Sequence, residues 1–194
     1  MKRRSFFQDF PELETEALAL VELNLNHTHD VLAHFSTKSV TQYLDITHME
    51  TIEDAQHLIN FLHTRFTQER GIRWGIVHKS EAKIIGTCGY NTWTKRKFSA
   101  EIGYDISEPY RRQKFATEAV NAIVDFGFTT MELLKIEAFI LPENSASVSF
   151  VQQLGFEWDS RVRDYQVSSG TYAYMECFSL KKHDWISKFV QQNQ

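Results

Sequence analysis

The stretch Ile102-Gly-Tyr-Asp-Ile-Ser-Glu-Pro-Tyr-Arg-Arg-Gln-Lys-Phe-Ala-Thr-Glu-Ala119 carries the residue types and order best suited to chemistry. An alternating apolar run ends at Ile106, Pro109 turns the chain, and Arg111, Arg112 and Lys114 crowd the opening of a helix-like run. Free N–H groups at a helix start, with the positive end of its dipole, attract anions. The three cations add to that pull, and such a place suits a pyrophosphate. It differs from a Walker loop, which needs a Gly-rich run before Lys-Ser/Thr, and from a dinucleotide fingerprint, which needs three spaced glycines. Spacing alone is equally compatible with a solvated basic helix start.

The elements around this stretch can be read from period and punctuation. Glu14 to Glu22 reads as a first strand and His27 to Phe35 as a helix. Ile52, Ala55, Leu58, Ile59, Leu62 and Phe66 recur at helical steps after Thr51, whose partner Asp54 makes a capping box. Gly71 is the expected C-terminal cap. Arg73 to His78 and Lys83 to Trp93 follow as strands joined by a turn at Ser80 to Ala82. Lys95-Arg96-Lys97 then leads into a third strand. There Phe98, Ala100, Ile102, Tyr104 and Ile106 alternate with Ser99, Glu101, Gly103 and Asp105, which predicts one apolar and one polar face. A long helix from about Arg112 to Met131 points Phe115, Ala119, Val120, Ile123 and Val124 inward. Then come a strand (Lys135 to Leu141), a short helix (Ser145 to Leu154, capped by Gly155), two strands around a Ser-Ser-Gly turn, and a helix from His183 to Gln192. The strand after the long helix must cross over and run parallel to a neighbour. Such crossovers put a helix N-terminus beside strand carboxyl ends, where ligands bind.

Composition narrows the class. A chain of 194 residues, 42% hydrophobic and 24% charged, reads as one globular domain. It should bury roughly 70% of its unfolded surface, with fifteen Phe and four Trp making the core aromatic-rich. A net charge of -4 argues against bulk nucleic-acid binding. Cys88 and Cys177 read as reduced, buried thiols, and no apolar run reaches the ~20 residues of a membrane span. A cytoplasmic protein with no membrane partner is expected. His27, His29 and His34 lack the Cys or carboxylate spacing that would support zinc, so no metal is expected, and a partly exposed helix histidine is the better reading. Trp74 reads as core. Tyr43 and Trp93 are open between core and an acceptor pocket, and the run after Trp93 between an acidic partner and a solvated hairpin tip.

Arg111-Arg-Gln-Lys-Phe-Ala116 resembles the acetyl-CoA motif of the GNAT acetyltransferases: Gln/Arg, two residues, Gly, one residue, Gly/Ala. Thr15-Glu16, Glu101-Ile-Gly-Tyr104, Ala116-Thr-Glu-Ala119, Glu143-Asn-Ser-Ala-Ser147 and Leu154-Gly-Phe156 resemble the ribosomal-protein N-terminal acetyltransferases within that family, in the expected order along the chain. The resemblance implies a single acetyltransferase domain over residues 1–194. It also implies an α/β (α+β) GNAT fold with about seven mostly antiparallel strands, flanking helices and a central parallel crossover. One departure stands out, Lys114 where the family has Gly. If that position is left-handed, Lys costs about 1–3 kcal/mol; if Gly only makes room, a Lys side chain can swing outward and add charge.

By the same resemblance, acetyl-CoA is the co-substrate, held by Arg111, Arg112, Gln113, Lys114, Phe115, Ala116 and Thr117, with Asn144 on the pantetheine. Glu101 is the expected base for the attacking amine and Ser147 the proton donor to the CoA thiolate. The backbone N–H near Ile106 would polarise the thioester carbonyl. A structural reading stands beside each: a salt-bridged strand Glu for Glu101, and helix caps for Asn144 and Ser145. The acceptor implied is a protein N-terminus, a ribosomal protein for example. A small amine and a CoA-binding module without turnover remain as alternatives. Acceptor specificity is expected in the region from about Phe35 to Ile72, and the strand Tyr172 to Phe178 could serve a homodimer or simply complete the sheet.

Overall fold

The computed structural model describes residues 7–44, 46–166 and 172–192. The chain runs through strands Leu13–Glu14 (β1) and Leu18–Glu22 (β2), then helices Thr28–Phe35 (α1), Lys38–Thr41 (α2) and Ile52–Thr67 (α3). Strands Ile72–His78 (β3), Lys83–Thr94 (β4) and Ser99–Ile106 (β5) precede helix Phe115–Thr129 (α4) and strand Lys135–Ile140 (β6). Helix Ser145–Leu154 (α5), strands Glu157–Gln166 (β7) and Tyr172–Lys181 (β8) and helix Lys182–Gln192 (α6) complete it. No described helix is long and apolar enough to cross a membrane.

Two compact units result. One holds the residues up to Asn91 with Gly103–Ile123, the other Thr92–Ile102 with the residues from Val124 on. In the first, strands lie in the order β1-β2-β3-β4-β5. β1 to β4 pair antiparallel, with Leu20 opposite Ile76 and Trp74 opposite Cys88. Helices α1 and α3 bury Val31, Phe35, Ala55 and Ile59 against Leu23 and Ile84, each of these side chains except that of Ala55 contributing roughly 1.5–3 kcal/mol. Helix α3 starts as its capping box dictates: Thr51 Oγ1 accepts from the Asp54 N–H at 3.2 Å, and Asp54 Oδ2 accepts from the Thr51 N–H at 2.9 Å.

In the second unit the order is β5-β6-β8-β7. The expected crossover is there: β5 and β6 pair in parallel, Ser99 with Lys135 and Glu101 with Glu137. The β6–β8 and β8–β7 pairs are antiparallel. Ile136, Ala138, Val151, Leu154 and Phe178 are buried there. Helix α5 begins at Asn144, whose Oδ1 accepts from the Ser147 N–H at 3.2 Å, and ends on Gly155 with φ of +94°. That φ is the left-handed cap only glycine takes without strain.

Several boundaries differ from expectation, each for a local reason. The first strand is split into β1 and β2 by a turn in which the Thr15 hydroxyl donates to Leu18 O, so the described residues form eight strands where about seven were expected. Helix α3 stops at Thr67 and Glu69 turns the chain with φ of +55°, so Gly71 is not its cap. A Cβ at Gly71 would lie 2.7 Å from Tyr90 O, so that glycine serves backbone approach. Helix α4 starts at Phe115 rather than Arg112 because Arg112 and Lys114 have positive φ. Phe98, expected inward, takes φ of +50° before β5 and is half-exposed. The Ser-Ser-Gly turn lies outside the described residues.

Candidate active site

The loop between β5 and α4 is built in three steps. A single 3-10 turn, Glu108–Tyr110 with Pro109 in it, is closed by Tyr110 N–H to Ser107 O at 2.9 Å and Arg111 N–H to Glu108 O at 3.1 Å. Arg112 and Lys114 then take φ of +62° and +68°, with Gln113 between them. Left-handed backbone at a residue with a Cβ costs of order 1–3 kcal/mol, and alternation of this kind turns successive N–H groups into one anion-binding concavity. Finally α4 opens. Its first hydrogen bond runs from the Glu118 N–H to Lys114 O at 2.9 Å, so the N–H groups of Phe115, Ala116 and Thr117 precede the helical ladder.

Side chains around the loop divide into anchors and free charge. The Arg111 guanidinium is tied down: Nε donates to Ile106 O at 3.2 Å and NH2 to Ser39 O at 2.7 Å. Gln113 Nε2 donates to Pro109 O at 2.7 Å. Phe115 packs edge-on against His78, with 4.9 Å between ring centroids. Arg112 and Lys114 are exposed. The left-handed alternative for Lys114 is therefore the one realised, and its side chain still projects charge outward. Ile106 is half-buried at the end of β5.

The other expected residues belong to the second unit. Glu101 is half-buried on β5, paired in register with Glu137, and its Oε2 accepts from Thr92 Oγ1 at 3.5 Å. Asn144 caps α5, and Ser147 stands half-buried in that helix's first turn. Glu137, Asp159 and Cys177 bring donor atoms within 4.8 Å of one another, but Lys135 Nζ sits 2.7 Å from Glu137 and 3.4 Å from Asp159. Lys135 thus forms ion pairs with both carboxylates of the group. Burial first, then Glu137, pushes the Cys177 thiol up to about 11.

A second cluster, absent from the sequence-based reading, lies beneath the end of β5. His34, expected to be partly exposed, is 3% exposed. Its Nε2 lies 2.6 Å from Asp105 Oδ1 and its Nδ1 2.6 Å from Ser107 Oγ. Asp105 Oδ1 also accepts from the Thr87 N–H at 2.8 Å; Oδ2 accepts from Thr87 Oγ1 at 2.7 Å and Arg73 NH2 at 2.5 Å. Arg73 is fixed in turn by Thr87 Oγ1 and Asn91 Oδ1. Burial works against the ionised carboxyl. At the low pH where this carboxyl itself would take a proton, the charges of His34 and Arg73 and the bonds from His34 and Thr87 overcome it, holding Asp105 well below the usual carboxylate range. The signal available in the sequence was a carboxylate inside a strand of the sheet, which must find partners.

The remaining candidates resolve simply. Trp74 is core, its Nε1–H donating to Pro11 O at 2.6 Å. Cys88 is buried, and desolvation pushes its thiol far up, away from nucleophilic use. His27 caps a helical turn, its Nδ1 accepting from the Asn24 N–H at 3.1 Å. Tyr43 is exposed, and Lys95 Nζ stands 4.8 Å over the Trp93 ring.

Comparison with known proteins places this geometry in context. Residues 17–157 match the acetyltransferase (GNAT) domain family. The uncharacterised N-acetyltransferase YoaA of Bacillus subtilis is 33% identical, over 89% of this chain and 98% of its own. The [ribosomal protein uS5]-alanine N-acetyltransferase of Escherichia coli is 26% identical over 66% of this chain and 65% of its own. Among solved structures, the microcin C7 self-immunity acetyltransferase MccE in complex with acetyl-CoA and AMP superimposes with a TM-score of 0.76 at 15% identity, over 86% of this chain and 93% of that one.

Proposed function

Since the chain belongs to the GNAT acetyltransferase family and is an acetyl-transfer enzyme, we propose that it moves the acetyl group of acetyl-CoA onto the N-terminal α-amine of a protein, with a ribosomal protein as the leading acceptor. The observation that carries the cofactor half of this reading is the loop from Arg112 to Thr117: alternating positive φ and the N–H groups ahead of the first α4 bond form a nest for the pyrophosphate. Arg112 and Lys114 supply charge, while Arg111 and Gln113 hold the loop in shape through the backbone carbonyls they bind. The acceptor half is supported by the Escherichia coli relative's activity on ribosomal protein uS5.

Chemistry assigns the remaining roles. A protein N-terminus has a pKa of about 8 and attacks only when neutral, so Glu101 serves as base. The N–H at Ile106 stabilises the carbonyl oxygen as charge develops on it. The thiolate, of a thiol with pKa roughly 8.5, takes a proton from Ser147. Asn144 contacts the pantetheine while it caps α5. Residues 1–194 act as one acetyltransferase domain.

A competition assay tests the acceptor. N-terminal peptides of ribosomal proteins, a polyamine and an amino sugar are offered with acetyl-CoA, and products are identified by mass. Acetylated peptide is expected. Products confined to the small amines would replace the proposed acceptor with a small molecule, and binding of acetyl-CoA without transfer would make the chain a CoA-binding module.

A further inference from the structure

Acetylating a protonated amine strips two protons from its nitrogen: one before attack, and one as the C–N bond forms and the C–S bond breaks. Thiolate recovers one, and the other leaves to solvent. Glu101, in the role given above, accepts one of them. Because the thiolate draws its proton from Ser147, the amine's second proton goes first to another acceptor before Ser147 is reprotonated, and imidazole near 6.5 is a stronger base for it than a carboxylate near 4.

We propose that Ser107, His34 and Asp105 form a proton-accepting relay for this reaction, with the Ser107 hydroxyl as the group that meets the amine. The inference rests on the acetyl-transfer reading but not on the identity of the amine. Asp105 has both oxygens occupied by donors, two on each, so it stays an acceptor and His34 Nε2 carries a proton toward it. In neutral His34 that leaves the Nδ1 lone pair, 2.6 Å from Ser107 Oγ, to accept the Ser107 O–H. The amine's proton passes to Ser107 Oγ as the Ser107 proton passes to His34 Nδ1. The imidazolium so formed is held by Asp105 and later returns its proton to solvent by the same route.

The surroundings hold the imidazole in place for this. Arg73 and Thr87 reach it through Asp105, and His34 rests edge-on against Phe35 with 4.6 Å between ring centroids. Asp30, one turn earlier on α1, is occupied by the Ile84 N–H, and Glu108, next to Ser107, by the Ser39 hydroxyl. Ser107 itself is half-buried, with its own N–H fixed on Ile85 O at 2.8 Å and its Oγ held 2.6 Å from His34 Nδ1.

Two measurements on the full chain decide it. Nitrogen-15 NMR of the histidines should show that the singly protonated His34 ring carries its proton on Nε2. A doubly protonated ring throughout the folded range, or an Nδ1–H tautomer, would overturn the relay. In kinetics, Ser107→Ala should lower kcat by on the order of 10²-fold, leave acetyl-CoA affinity within about twofold, and erase an inflection of the pH profile that Glu101→Gln retains. His34→Gln should do the same. A Ser107→Ala enzyme with parental kcat and pH profile would reduce the cluster to a structural tie. A parent active only on small amines would sink the N-terminal acceptor yet leave the relay testable with that amine, and transfer to no amine would sink both.

Discussion

Two groups of charged residues lie within a few residues of the end of β5, and they are stabilised in opposite ways. Arg112 and Lys114 occupy strained left-handed backbone and keep their side chains exposed, with no paired carboxylate among the described residues. Asp105 lies on relaxed strand backbone, buried, with four hydrogen bonds, one of them from a guanidinium. Among the described residues no buried side-chain polar atom lacks a partner. The strained, open group has unspent binding capacity and suits a ligand with its own negative charge. The buried group has spent its capacity on itself. It can hold a neighbour such as Ser107 in place, or pass a proton, but it cannot recruit an anion.

Substitutions should separate the two along that line. Arg73→Met leaves Asp105 buried with one fewer cation and should cost about 3–5 kcal/mol of stability in urea unfolding; Arg112→Ala should cost less than ~0.5 kcal/mol in the same measurement. An Arg73→Met loss as small as that of Arg112→Ala would erase the distinction. The pH dependence follows from the same carboxyl. Its folded pKa is depressed, so the stability it contributes is fully present above the unfolded value near 4. It is lost as pH falls through the lower folded value. Asp105→Asn should therefore flatten the acid limb of the stability curve, and an unchanged limb would show that Asp105 is not the group being titrated.

Smaller effects test the site. Glu101→Gln should slow transfer on the order of 10²-fold, most at low pH where the amine is protonated, and an identical profile would remove it as base. Ser147→Ala should lower kcat about tenfold with acetyl-CoA affinity nearly unchanged; the reverse pattern would make it a binding residue. Lys114→Gly sharpens the comparison most. It should relieve strain and stabilise the fold by about 1 kcal/mol while weakening acetyl-CoA binding a few-fold, because the charge goes with the strain.

The same contrast explains what could be read from sequence. The loop is one contiguous run from Pro109 to Thr117, so its turn residue, its cations and the helix it opens were all visible together. What was not visible there was backbone sign, because Arg and Lys give no warning of positive φ as glycine would. Strands β3 to β6 and helices α3 and α5 were legible from alternation, helical recurrence and the caps at Thr51, Asn144 and Gly155. The His34 cluster was not. Its members come from α1, β3, β4 and the end of β5, and only the folded register brings Arg73 and Thr87 to the polar face that Asp105 shares with Gly103. Two-residue alternation placed Asp105 on the polar side of its strand and gave no hint that α1 covers it.

Calorimetric titration of acetyl-CoA, set beside S-acetylpantetheine, which lacks the pyrophosphate, tests the central assignment most directly. The loop from Arg112 to Thr117 predicts micromolar binding of acetyl-CoA, much weaker binding of the truncated thioester, and roughly tenfold weaker acetyl-CoA binding when Arg112 and Lys114 are both replaced by Ala. Equal affinity for the two thioesters, or acetyl-CoA binding untouched by that double replacement, would contradict it.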